Sequence, residues 1–288
     1  MKKGFVISLS TILIFSIVLL FAVFYESLVQ RNNSFVLESF ETQKAGFAAD
    51  DIASDLNRLL GTGIRASHDK NALQLSFSDS LPAKISKTEL GNLENFIDSN
   101  FARQINSNID VNFDMLLDGN TEIIFSNGLR YDYNYGTVNS VMFYAPYKDT
   151  NAARYDINIT VNAASIDSSA WAWNSNGDIN VNLSFTDQNS GLSVAYSGKL
   201  DSSIENTYQW NYSAVSGDSF YIKIGELGEH EKALRIIEAI TNSDARAEIN
   251  VNAVLPLPSH EIEWHYNADY NYSQNDVNLN RKISLGKA

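Results

Sequence analysis

The chain contains no cysteine, which removes disulfides, thiolate zinc sites, iron–sulfur clusters and thiol nucleophiles together. Proline is scarce, with four residues in 288. None precedes Pro82, so nothing upstream of it forbids a continuous helix. Charged residues make up only 19%, and the 21 basic residues are outnumbered by 34 acidic ones, for a formal net charge of −13 and a pI near 4.7. An acidic field repels phosphate, so no nucleic acid is expected as a partner, nor charge-driven adsorption to an anionic lipid surface. What remains is a 44% hydrophobic complement, enough for a real core, and asparagine at about one residue in nine, a residue of turns and exposed strand positions.

The longest uncharged run extends from Gly4 to Tyr25. As a helix it would be ~33 Å long, enough to cross a ~30 Å hydrocarbon core. Its fifteen Phe, Val, Ile and Leu residues favour insertion by about 5–9 kcal/mol. Lys2 and Lys3 precede the run and Glu26 is the first charge after it. The positive-inside tendency therefore predicts a cytoplasmic N-terminus, a single pass through the cell membrane and a C-terminal domain outside the cytoplasm, with the lipid bilayer as a partner. A cleaved secretory signal would be shorter and end at a small-x-small site; here Ala22-Val23-Phe24 places a bulky residue where a small one is needed.

Lys2-Lys3-Gly4-Phe5, followed at once by Val6-Ile7-Ser8-Leu9-Ser10-Thr11-Ile12-Leu13, resembles the short class III leader of type IV pilins and related archaeal pilin-like proteins. The resemblance implies that a prepilin peptidase cuts between Gly4 and Phe5, leaving the helix attached. It implies further that the helix anchors the subunit and later packs with other pilin-like subunits in a filament core. Major bacterial pilins usually carry glutamate at the fifth mature position, which here is Leu9. The departure points to a minor, tip or archaeal pilin-like protein rather than a bacterial core subunit. An uncleaved signal anchor shares the same opening residues.

Beyond Tyr25 the helix is expected to continue. Leu28, Phe35, Phe40 and Phe47, then Ile52, Leu56 and Leu59, recur among polar positions, and Gly61-Thr62-Gly63 supplies a stop. The spacing predicts one helix from about Phe5 to Leu60, transmembrane first and an amphipathic stalk afterwards, loosened at Asn32-Asn33-Ser34 or Gly46. The rest reads as strands and turns. Asn127-Gly128 predicts a hairpin, and a strand pattern recurs at 109–113, 157–161, 179–183 and 249–253, with one aliphatic face and one rich in asparagine. Two helices are expected within the sheets: one after the capping box Ser86-Lys87-Thr88-Glu89, and one from about Glu229 to Thr241. The expected fold is mainly β, an antiparallel β-sandwich head on a long N-terminal helix. It divides into residues 1–62 (transmembrane and stalk helix), 63–146 (a small α+β region) and 147–288 (the β-sandwich), with the last boundary near Pro146.

Motifs for chemistry are few. His260 and His265 are five apart, whereas a zincin helix needs four. Asp114, Asp118 and Glu122, and the run Asn174-Ser175-Asn176-Gly177-Asp178, do not follow the calcium-loop pattern and read first as turns. No phosphate loop, dinucleotide fingerprint or serine-nucleophile elbow occurs. Catalysis, a cofactor and a metal are therefore not expected. Five N-glycosylation triplets begin at Asn32, Asn158, Asn182, Asn211 and Asn271. Trp171, Trp173, Trp210 and Trp264 either fill a sandwich core or, exposed, stack on a sugar or protein partner. Two functions follow as expectations: a membrane-anchored, pilin-like surface subunit, or a permanently anchored adhesin that binds carbohydrate or protein through its β-sandwich.

Overall fold

The computed structural model describes residues 2–69, 72–81, 87–135, 139–145, 152–162, 166–172, 176–212, 219–239, 246–256, 261–274 and 277–287. Helix α1 runs from Lys2 to Leu60, 59 residues without interruption, or ~88 Å at 1.5 Å per residue. Neither Asn32-Asn33-Ser34 nor Gly46 breaks it. Ser34 instead returns its hydroxyl to the Gln30 carbonyl at 3.1 Å, and Thr42 does the same to Glu38 at 2.7 Å, so these polar residues are accommodated within the helix. The helix ends where the sequence predicts: Gly61 takes φ +71° and its N–H reaches the Asn57 carbonyl at 3.0 Å, a left-handed C-cap that glycine adopts without penalty.

The rest is strand, in chain order β1 (Gly63–Asp69), β2 (Ala72–Leu81), β3 (Asn108–Asn112), β4 (Asn120–Phe125), β5 (Arg130–Tyr135), β6 (Asn139–Tyr144), β7 (Arg154–Asn162) and β8 (Ile166–Ala172). There follow β9 (Ile179–Asp187), β10 (Ser193–Leu200), β11 (Glu205–Tyr212), β12 (Ser219–Leu227), β13 (His230–Ala239), β14 (Arg246–Pro256), β15 (Glu263–Gln274) and β16 (Val277–Lys287). A six-stranded sheet has the order β1-β2-β14-β7-β9-β10, and a larger one the order β16-β15-β4-β5-β6-β13-β12-β11-β8, with β3 paired to β15. Pairing is antiparallel except between β7 and β9, where the chain crosses to the larger sheet as β8 and returns. Asn127-Gly128 turns β4 into β5 as predicted, with Gly128 at φ +91°. Helix α2 (Lys87–Phe96) runs on through one wide turn (Ile97–Phe101) into α3 (Ala102–Gln104), and α4 (Asp114–Leu117) is a single turn before β4. Ser86 of the capping box lies outside the described residues.

The sheets form a sandwich because each strand alternates apolar and polar residues and the apolar faces meet. Phe77 on β2 stacks on Tyr131 on β5, ring centroids 4.9 Å apart, and Phe185 on β9 stacks on Trp210 on β11 at 3.7 Å. Both pairs join the two sheets. The larger sheet extends past the smaller, and the inner faces of β15 and β16 are covered by the last third of α1, from Glu41 on.

Two expectations are corrected. The helix expected from about Glu229 to Thr241 is not formed: among the described residues His230–Ala239 are β13, paired on one side with β12 and on the other with β6. The spacing of Ala233, Leu234, Ile237 and Ile240 fits a helix, but Gly228 at φ +66° closes a hairpin. Pairing on both edges and the β-branched Ile236 and Ile237 then outweigh a weak helical preference. The boundary near Pro146 does not separate the sheets either, since each draws strands from both sides of it. Hydrogen bonding between strands distant in sequence overrides a break inferred from composition.

Candidate functional site

Two features differ from ordinary sandwich packing. The first is the way α1 leaves the head. From Glu41 onward one helical face is buried: Glu41, Ala45, Ala48, Ala49, Ile52, Ala53, Leu56 and Leu60, at the i, i+3, i+4, i+7 spacing of a single stripe. The four alanines allow the helix close to the sheet. Tyrosines on the inner face of β15 then bond to it: the Tyr266 hydroxyl to Asn57 Oδ1 at 3.0 Å, that of Tyr270 to the Ala45 carbonyl at 3.0 Å, and that of Tyr272 to Glu41 Oε2 at 2.6 Å. Burial and the neighbouring Glu41 raise the Tyr272 pKa above its usual value, so the hydroxyl stays a donor. Lys44 completes the junction, 3.5 Å from Glu41 and 2.7 Å from Gln274 Oε1, while Arg281 reaches Asp50 at 3.6 Å.

Before Glu41, every described side chain of α1 from Ile14 onward is exposed. It is the one helix among the described residues long and apolar enough to cross a membrane. Its apolar character does not stop where a span from Phe5 to Tyr25 would end. Val29, Val36, Phe40 and Phe47 are 40%, 58%, 63% and 69% exposed. Their spacing of seven, four and seven places them within about 40° of one another, on the side of the helix opposite the head.

The second feature is a shallow trough of about 780 Å³ on the outer face of the six-stranded sheet. Three of the four recurring strand patterns (those in β14, β7 and β9) are neighbours here, so their asparagines line up across strands. One row reads Ser76, Asn252, Asp156, Asn182, Ser197 and is knit together: Ser76 to Asn252 at 3.3 Å, Asn182 to Asp156 at 2.6 Å and Ser197 to Asn182 at 2.7 Å. Arg154 neutralises Asp156 at 2.9 Å. The adjacent row reads Ser78, Asn250, Asn158, Ser184. All four are exposed, and none of their side chains has a hydrogen-bond partner among the described residues.

The structure distributes the sequence-predicted positions unevenly. Gly4 and Phe5 lie within α1. Asn32 is exposed on the projecting helix, and Asn158 and Asn182 are brought together in the trough on adjacent strands. Asn211 and Asn271 are half-buried and engaged, the first accepting from Gln209 Nε2 at 2.6 Å, the second donating to Asp110 Oδ2 at 3.3 Å. Trp210 and Trp264 are buried in the core, so neither serves as an exposed stacking platform; the Trp171 side chain and the whole of Trp173 lie outside the described residues. Glu122 pairs with Arg130 at 2.9 Å, and Asp114 closes a local turn with Asn112 at 2.9 Å. His260 lies outside the described residues, and His265 sits in β15, an interior strand.

Sequence reasoning missed the trough because it treated the recurring strands as independent. The signal was the repetition itself, which becomes a grid once the strands are adjacent. No protein-family model matches the chain, and no curated protein or solved structure matches it either.

Proposed function

We propose that the chain is a type IV pilin-like surface subunit of a minor or non-core kind. Helix α1 holds it in the cell membrane with the N-terminus in the cytoplasm, prepilin peptidase cuts between Gly4 and Phe5, and the β-sandwich head is carried outside. The observation that carries this reading is the stripe Val29, Val36, Phe40, Phe47. It lies beyond the length a bilayer needs and faces away from the chain's own head. Burying each phenylalanine is worth about 1.5–3 kcal/mol, so a helix carrying two of them on one seam gains stability against a partner. A seven–four–seven spacing is the periodicity of helix-to-helix seams, and the corresponding segment of other subunits supplies that partner in a filament or membrane-bound assembly.

The absence of cysteine makes the test clean. Phe40→Cys and Glu38→Cys are each expressed in the native membrane and mildly oxidised. Cross-linked dimer is expected from the stripe position Phe40→Cys and not from Glu38→Cys on another face. Equal or absent cross-linking of both would refute assembly through the stripe.

A further inference from the structure

We propose that the trough on the outer face of the six-stranded sheet binds a free, neutral oligosaccharide, seated across the row Ser78–Asn250–Asn158–Ser184. This function of the head does not depend on how α1 is assembled. Four adjacent strands spaced ~4.8 Å apart place these side chains along ~14 Å, the length of a few sugar units. Each amide offers both donors and an acceptor, and each hydroxyl can do either, which matches a polyol whose every hydroxyl also does both.

The row next to it shows that the protein can satisfy such groups internally when they lie close together; in this row they are left to solvent. Charge narrows the class further. The ionisable residues lining the trough are Arg65 and Asp156, and Asp156 is already paired with Arg154 and Asn182. Arg65 on β1 stands opposite Ser76 in the other row, so no charged side chain lies in the row Ser78–Asn250–Asn158–Ser184 itself. Apolar ligands are disfavoured too, because Phe77, Ile157, Leu183 and Val251 beneath the floor are buried, at 6% exposure or less. Gly63 opposite Ser78 and Ala195 opposite Ser184 end the row with almost no side chain, which leaves room for a chain to run on past both edges. The volume of about 780 Å³ falls within the range of small-ligand sites.

The test uses the full chain in a detergent without a sugar headgroup. It is presented with immobilised neutral hexasaccharides of glucose, mannose and N-acetylglucosamine, and with sialylated and sulfated oligosaccharides. At least one neutral hexasaccharide should be retained at about 1 mM or below. Asn250→Ala and Asn158→Ala should each weaken it about tenfold, while Ser193→Ala, on the same face but outside the row, should leave it unchanged. Both asparagine positions are exposed, and circular dichroism of each variant checks that the fold is kept. Retention of no neutral glycan, a preference for the charged ones, or indifference to both asparagine substitutions would overturn the proposal. Peptide mapping of native protein showing a glycan covalently attached to Asn158 would overturn it as well, since the occupant would then be the chain's own modification.

Discussion

Glu238 is 2% exposed in β13, and among the described residues neither of its carboxylate oxygens meets a hydrogen-bond donor. Strand alternation explains its position: it shares a face with Leu234 and Ile236, both buried, whereas on a helix it would have been an ordinary surface residue. Desolvation raises its pKa to about 8, against about 4.3 in an unfolded chain. Between those values the folded protein holds a proton that the unfolded chain releases. The stability contributed by the protonated form is thus complete below about pH 4 and lost as the pH rises toward 8. Asp132, raised to about 6 first by burial and then by Glu122, adds a smaller effect of the same sign at lower pH. Urea denaturation of Glu238→Gln at pH 4 and pH 8.5 should show little change at the first and a gain of about 2–4 kcal/mol at the second. An equal effect at both values would contradict the assignment of Glu238 as a buried, protonated acid.

At the scale of elements, the junction between α1 and β15 holds the head to its helix. Tyr272→Phe removes the 2.6 Å bond to Glu41, a carboxylate only 7% exposed. Leaving such a group short of a donor costs about 1–3 kcal/mol, so the urea midpoint of the full chain in detergent should fall accordingly. Phe47→Ala, on the exposed side of the same helix, should scarcely move it in the monomer. Much of this level was legible in the sequence. The helix and its stop at Gly61 follow from periodicity and a missing proline, and the β4–β5 turn follows from Asn127-Gly128. Each of these depends on neighbours in the chain. The strand at 230–239 and the grid of asparagines depend on which strands lie side by side, and local spacing carries no information about that. The tyrosines of β15 show the same limit: their alternation predicts one buried face, but the helix they bond lies over 200 positions earlier.

For the whole molecule, the architecture is a two-sheet sandwich whose wider sheet is completed by the last third of a helix, while the stretch before Glu41 projects with its described side chains exposed. The projecting part is apolar all round at first, and beyond Tyr25 it still exposes Leu28, Phe35 and Leu37 besides the outward-facing Val29, Val36 and Phe40; under the pilin-like proposal a bilayer covers the first stretch and a partner helix the second. A monomer in water has neither, and the pilin-like reading supplies both. It also sets the fate of the first four residues. Mass spectrometry of the N-terminal peptide, from protein extracted from its native membrane, tests this most directly. The account predicts a mature terminus at Phe5; a terminus at Met1 or Lys2 would contradict it and leave α1 a plain signal anchor beneath the β-sandwich head.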